Sequence, residues 1–203
     1  KLNVKIYNRT LVEDFVIKNN SVTEIITDIG PFKTDEVVLA TGSWSPEIAK
    51  KLHRSISILP GKGYSFTLQD TKQKPSIPAI LCEGKVAVTP MNNDIRFGGT
   101  MEITHTNDTQ INKNRVQGIV NSINDFYPDL KIEMPEEKET WFGFRPCTPS
   151  GMPIITRDKK IKNLTLATGH AMMGLSLGPA TGKLVSEIIS EKTTSVNTEM
   201  FQL

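Results

Sequence analysis

The chain has 203 residues, 37% hydrophobic and 23% charged, which suits one large or two small globular domains and excludes a disordered segment. Its net charge of +2 is spread over scattered residues of both signs, which argues against a nucleic-acid protein with a basic stripe. No stretch approaches the ~18 consecutive apolar residues of a membrane span.

Taken in order, the chain begins at Lys1, without Met or a signal peptide, inside a run (Lys1–Ile6) whose alternating Leu2, Val4 and Ile6 read as a half-buried strand. That start suggests a piece of a longer protein. Leu11–Lys18 and Val22–Ile29 read as strands joined by the turn Asn19-Asn20-Ser21, and Gly30-Pro31 reads as a further break. Val37–Ala40 is a continuous apolar run of the kind buried in a parallel sheet, ending on the bare Thr41-Gly42. Ser45 reads as an N-cap and Pro46 as the first residue of a short helix with Ile48 and Leu52 on its apolar face. A strand, a glycine and a helix make a nucleotide-site geometry, and equally a plain connection.

Ile56–Leu59 and Gly63–Leu68 read as strands on either side of Pro60-Gly61, with Lys62 a solvated turn residue. Gly61-Lys-Gly63 is no phosphate loop, since Phe66 stands where the third glycine belongs and a strand follows. Lys72–Pro78 is a polar loop, and Lys85–Thr89 and Ile95–Met101 flank the hairpin turn Met91-Asn-Asn-Asp94. A helix is predicted over Asn112–Tyr127, with a stripe of Val116, Ile119, Val120, Ile123 and Phe126, stopped by Pro128. Pro135–Thr140 is acidic. Thr140–Phe144 is an aromatic strand that enters a proline-stiffened loop, Arg145–Pro153. Arg157–Asn163 is a charged turn. Leu164–Thr168 is apolar, followed by a turn punctuated by Gly169, Gly174 and Gly178 and an amphipathic helix. Leu177, Thr181, Leu184 and Ile188, widened by Val185 and Ile189, form that helix's face.

Those glycines bring backbone close to a flat or anionic object, and the helix start aims N–H groups and partial positive charge at it. The pyrimidine edge of a flavin fits such a site; a strand-to-helix connection without a ligand fits equally. Cys82 and Cys147 lack metal spacing and fit a reducing compartment, with a single disulfide between them left open. No His/Asp/Glu cluster has metal spacing, so no metal site is expected. Arg96 and His105 carry no assignable role.

Three motifs occur in order. They are Val37-Val-Leu-Ala-Thr-Gly-Ser-Trp-Ser45, Gly143-Phe-Arg-Pro-Cys-Thr-Pro-Ser-Gly-Met-Pro-Ile154, and Thr168-Gly-His170 through Gly174 to Gly178-Pro-Ala-Thr-Gly182. Over nearly its whole length the chain resembles the D-amino-acid oxidase superfamily of FAD-dependent oxidoreductases. Pro60-Gly-Lys-Gly-Tyr-Ser-Phe-Thr67, Ile95-Arg-Phe-Gly-Gly99 and Glu102-Ile103 bring it nearest to bacterial D-amino-acid dehydrogenases. The resemblance implies an α+β architecture. A mixed, mainly antiparallel substrate domain with helices (residues 56–144) is flanked by part of an α/β FAD-binding domain (residues 1–55) and by a substrate loop with the C-terminal part of that FAD-binding domain (residues 145–203). It implies hydride removal from an amino acid's Cα to flavin N5, imine hydrolysis to a 2-oxo acid and ammonia, and reoxidation by a quinone or O₂. A cytoplasmic setting follows, with any membrane attachment peripheral on the inner face of the cytoplasmic membrane, and no nucleic-acid partner. The G-x-G-x-x-G unit that holds the FAD pyrophosphate in such enzymes is missing, so this polypeptide alone is expected to retain no FAD and turn nothing over.

Residue by residue, Arg145 matches the family's carboxylate-binding arginine. A guanidinium grips a carboxylate through two parallel hydrogen bonds that lysine cannot copy. A structural ion pair with Glu136–Glu139 is its plain alternative. Tyr64 is the second catalytic candidate, as a carboxylate or amine partner, against a strand tyrosine with a satisfied hydroxyl. Thr41, Gly42 and Trp44 match the second FAD stretch. Gly169, His170, Gly174, Leu175, Ser176 and Leu177 should meet the isoalloxazine, mostly through backbone N–H groups, with His170 orienting backbone rather than acting as a base. Met172 and Met173 line a substrate pocket for an uncharged side chain or serve ordinary packing. The rival readings are a glycine- or sarcosine-type amine oxidase of the same fold and a non-catalytic binding module.

Overall fold

The structure is a computed structural model that describes residues 3–71 and 75–203. Its strands and helices in order are β1 (Val12–Lys18), β2 (Ser21–Thr27), β3 (Gly30–Lys33), β4 (Val37–Leu39), α1 (Ser45–Lys51), β5 (Leu59–Leu68), β6 (Ala79–Leu81), β7 (Val86–Met91), β8 (Asp94–Ile103), α2 (Lys113–Phe126), β9 (Trp141–Cys147), β10 (Ile154–Arg157), β11 (Leu164–Thr168) and α3 (Gly174–Ile189). The expected α+β class with mainly antiparallel sheets is what forms. Two compact units divide the chain: residues up to Ile58 together with Pro146–Leu203, and Leu59–Arg145.

In the first unit β1, β2 and β3 form an antiparallel meander. Asn19 and Asn20 have φ of 51° and 61°, the left-handed pair that a two-residue hairpin turn demands and asparagine tolerates. A second sheet has the order β10-β11-β4, with β11 antiparallel to β10 and parallel to β4. Val22, Leu39, Ala49, Leu52, Leu164 and Leu166 are buried together in this unit's core. Asn163 ties the pieces: its Nδ2 donates to the carbonyls of Val22 (2.8 Å) and Asp35 (2.9 Å), and its Oδ1 accepts from Val22 N–H (2.8 Å). Such two-way bonding requires an amide, which carries donor and acceptor on one group.

Four expectations for this unit are corrected. Residues 3–6 form no strand, and Val4 and Ile6 are exposed; alternation alone does not make a strand without a partner to pair with. Lys1 and Leu2 lie outside the described residues. Gly30-Pro31 opens β3 instead of breaking the chain, because β3 is the outer strand of the meander and a proline is tolerated at an edge. Trp44, not Ser45, is the N-cap of α1, and Ser45 lies inside the helix. Its Oγ bonds Thr41 Oγ1 (3.1 Å) and Thr168 Oγ1 (2.9 Å), side-chain partners that draw it away from a capping role. Finally, the proline-rich segment is not loop from its first residue: β9 continues through Pro146 to Cys147, and β10 follows at Ile154–Arg157.

The second unit is a five-stranded sheet of order β6-β7-β8-β5-β9, with α2 packed on it. Val116, Ile119, Val120 and Ile123 of α2 are buried with Tyr64, Phe66, Val86, Val88, Ile95 and Phe97. Phe126 is 47% exposed, so the predicted stripe stops one turn early. Asn112 is the N-cap, its side chain accepting from Arg115 N–H (3.4 Å). The turn Asn92-Asn93 joins β7 and β8 as predicted. Instead of separate strands on either side of Pro60-Gly61, a single strand forms: β5 runs unbroken from Leu59 through both residues, and 54–58 carry no strand. Pro60 stands at the strand's beginning, where its missing N–H costs little. Of the polar loop expected at Lys72–Pro78, residues 72–74 lie outside the described residues.

Candidate functional site

Within the first unit, parallel pairing puts the carboxyl ends of β4 and β11 side by side, and each strand is followed by a left-handed glycine: Gly42, three residues beyond β4, at φ +55°, and Gly169, directly after β11, at φ +81°. Thr168 Oγ1 bonds the carbonyl of Gly42 (3.2 Å), which joins the two turns directly. Thr41, Gly42 and Trp44 are thus brought together with Gly169. Crevices outside the carboxyl ends of parallel strands are where α/β sheets bind ligands. At Gly169 a Cβ would stand 2.6 Å from Thr148 Cγ2, so glycine is needed there for space as well as for φ. Ser43, between the two FAD candidates Gly42 and Trp44, is 2% exposed, and its Oγ is buried without a hydrogen-bond partner among the described residues. Sequence reasoning passed over it, since a serine in such a turn carries no signal of its own.

The turn then passes His170, whose Nε2 lies 2.9 Å from Thr181 Oγ1 on α3. Burial lowers the His170 imidazole from its ordinary value, which favours the neutral ring. Ala171 N–H donates to Pro146 O (3.0 Å), and Met173 N–H to His170 O (2.9 Å). α3 starts at Gly174 with Met173 as N-cap, and no side chain caps its first-turn N–H groups. Leu175, Ser176 and Leu177 are exposed on that first turn; of the predicted apolar face only Leu184 is fully buried. Met172, Met173 and Trp44 are exposed as well.

Arg145 and Tyr64 belong to the second unit, on the neighbouring strands β9 and β5. Arg145 is half-buried. Its Nη1 donates to Thr100 O (3.1 Å), and its guanidinium rests against Gly63. Tyr64 follows Gly63 along the strand and so points to the other face. It is 1% exposed; its hydroxyl donates to the Glu102 carboxylate and accepts from Asn112 N–H (3.3 Å). Burial, then the Glu102 carboxylate, push the Tyr64 phenol up to about 12. Glu102 also accepts from Asn112 Nδ2 (2.8 Å) and faces Arg115 (3.6 Å).

Lys62 is not the solvated turn residue expected. It is fully buried in β5, its ammonium paired with Asp108 (3.1 Å), donating to Gln110 O and lying 4.7 Å from the Phe142 ring centre. A buried cation persists only with such partners. Arg96 sits on the Arg145 side of the sheet, donating to Ser65 Oγ (2.9 Å) and stacked 5.5 Å from the Trp141 ring. Among the described residues no group of His, Cys, Asp and Glu could hold a metal, and no helix is long and apolar enough to cross a membrane.

Glycine turns beyond the carboxyl ends of parallel strands, and an antiparallel sheet bearing a seated arginine, are the features the comparisons with known proteins have to account for. A family model described as FAD dependent oxidoreductase (DAO) matches residues 1–188, and the chain belongs to that family. It is similar to D-amino acid dehydrogenase of Helicobacter pylori, 30% identical over 196 residues that make up 96% of this chain and 46% of the relative. Against D-amino acid dehydrogenase of Neisseria gonorrhoeae the identity is 34% over 187 residues, 90% of this chain and 43% of that one. Among solved structures, glycine oxidase from Geobacillus kaustophilus matches with a TM-score of 0.84 at 25% identity, over 97% of this chain and 52% of that one. L-proline dehydrogenase from P. horikoshii matches with a TM-score of 0.83 at 26% identity, over 95% and 52%. The chain therefore spans about half the length of the relatives it matches.

Proposed function

We propose that this chain belongs to an FAD-dependent enzyme that oxidatively deaminates D-amino acids, with the first unit contributing to the FAD-binding domain and the second forming the substrate-binding domain. The observation that carries the reading is Arg145, a half-buried guanidinium fixed on a sheet in a member of the FAD dependent oxidoreductase family. The relatives named D-amino acid dehydrogenase, at 30–34% identity, support the substrate class.

The residues present fit FAD. Two left-handed glycines leave backbone bare, and among the described residues no side chain caps the first-turn N–H groups of α3. Thr41, Gly42 and Trp44 would hold one portion of the coenzyme, and Gly169, His170, Gly174, Leu175, Ser176 and Leu177 the isoalloxazine. FAD, when bound, takes up the hydride equivalent lost from the substrate Cα. Arg145 holds the substrate carboxylate, which fixes where the Cα–H bond points. His170, its neutral form favoured by burial, steadies the turn through Thr181. Tyr64 acts through the strand it anchors, its hydroxyl being committed to Glu102. The substrate loses Cα–H and an amine proton; the imine adds water and splits to a 2-oxo acid and ammonia. This polypeptide by itself is expected to retain no flavin.

The test is Arg145→Lys in the full-length enzyme, assayed on D-amino acids, glycine and sarcosine. A sharp fall in kcat/KM with a raised KM for D-amino acids is expected. An unchanged kcat/KM removes Arg145 from the site, and preference for glycine or sarcosine replaces the substrate class. The glycine-oxidase reading is kept as the second one because that enzyme's structure matches at a TM-score of 0.84.

A further inference from the structure

Three irregularities of the second unit meet at one guanidinium. In the β5–β8 ladder Lys62 faces Glu102 and Tyr64 faces Gly99, so Gly63 alone stands opposite both Thr100 and Met101: a β-bulge. Thr100 carries the bulge at φ +58°, a left-handed conformation that a β-branched residue adopts only when its surroundings impose it. The bulge aims the Thr100 carbonyl at Arg145 Nη1, and it leaves Thr100 Oγ1 buried without a partner among the described residues. Across from it, Gly63 is the floor: a Cβ there would overlap Nη1 and stand 2.5 Å from both Cζ and Nη2. Gly63 is buried and its φ is not left-handed, so backbone freedom is not what requires glycine here. The guanidinium is.

We propose that Gly63 and the Thr100 bulge form a seat that fixes the orientation of Arg145, making Gly63 a positioning residue for carboxylate recognition. The proposal rests on the reading that Arg145 binds the substrate carboxylate. A methyl group at position 63 displaces the guanidinium from the Thr100 carbonyl and turns its hydrogen-bonding edge, while the strand, the Lys62 pairing and the Tyr64–Glu102 contact on the other side stay as they are.

The experiment is a mutant cycle of Gly63→Ala and Arg145→Ala in the full-length, flavin-loaded enzyme. It reads competitive inhibition by a short aliphatic carboxylate and by its uncharged amide. In the Arg145 background, Gly63→Ala is expected to raise the inhibition constant of the carboxylate by about tenfold or more and leave that of the amide unchanged. In the Arg145→Ala background, where no side chain occupies the seat, it is expected to change neither. Equal weakening of carboxylate and amide, or a loss that persists without Arg145, overturns the proposal, since a purely structural glycine behaves that way. Arg145→Ala with an unchanged carboxylate constant overturns the underlying reading; Arg145→Ala with a raised constant beside a wild-type Gly63→Ala overturns Gly63 alone. Should Gly63→Ala fail to fold, recovery of folding in the Gly63→Ala/Arg145→Ala double variant supports the seat, and failure of both overturns it.

Discussion

Replacing Gly169 by alanine should damage the paired glycine turns in two separable ways. The backbone at φ +81° costs an alanine roughly 1–2 kcal/mol. Its Cβ would also stand 2.6 Å from Thr148 Cγ2, closer than such atoms can approach. Thr148 cannot swing aside freely, because its Oγ1 donates to Met152 O at 2.7 Å. Turning it away loses that bond, about 1 kcal/mol. Gly169→Ala should therefore cost about 2–3 kcal/mol, the sum of the two effects. Thr148→Ser removes the methyl and keeps the hydroxyl, so Gly169→Ala/Thr148→Ser should recover the steric loss and keep the backbone loss. The assay is denaturant unfolding followed by fluorescence of Trp44, which lies in the first unit, with Trp141 of the second replaced by Phe. A double variant no more stable than Gly169→Ala would refute the steric argument. A Gly169→Ala midpoint equal to wild type would refute both effects.

Two further outcomes follow from titration. The Tyr64 phenol sits above its unfolded value of about 10, at about 12, so its stabilisation is complete below pH ~10 and is lost as pH rises towards that value. Tyr64→Phe should cost about 1–3 kcal/mol at neutral pH by taking the hydroxyl away from Glu102 Oε1 and from Asn112 N–H, and should flatten the alkaline limb of stability against pH. Asp158 is buried, which raises its pKa, but the N–H groups of Ile161 and Lys160 and the Arg54 guanidinium outweigh burial and hold it below the carboxylate range. Its stabilisation is present above pH ~3.9 and lost as pH falls through the lower folded value. Asp158→Asn should lower stability at neutral pH and weaken the acid dependence; an acid limb identical to wild type would remove Asp158 from that account.

How far the sequence could be read depended on the range of the interaction. The Asn19-Asn20 and Asn92-Asn93 turns and the α2 stripe are local, and residues within a few positions decide them. The apolar run Val37–Ala40 was legible as a parallel strand, and Val37–Leu39 does pair parallel with β11, but at the end of its three-stranded sheet, where Val38 is exposed; a run of apolar residues does not say how many neighbours the strand will have. Lys62 defeated the reading: a lysine between two glycines resembles a turn, and the Asp108 carboxylate, the Gln110 carbonyl and the Phe142 ring that make a buried site for it are distant in sequence. Gly63 and Thr100 were equally silent. The need for glycine comes from Arg145, 82 positions on, and the bulge is a mismatch between two strands that neither strand spells out alone. β3, β6 and β10 are four residues or fewer and carry too little periodicity to announce themselves.

The most direct measurement is anaerobic mixing of the full-length, FAD-loaded protein with single enantiomers of an amino acid, following the loss of oxidised-flavin absorbance. D-enantiomers should bleach the flavin and release the 2-oxo acid, L-enantiomers should not, and Arg145→Ala should abolish bleaching at wild-type substrate concentrations. Bleaching that ignores the enantiomer, or that survives Arg145→Ala unchanged, would contradict the assignment.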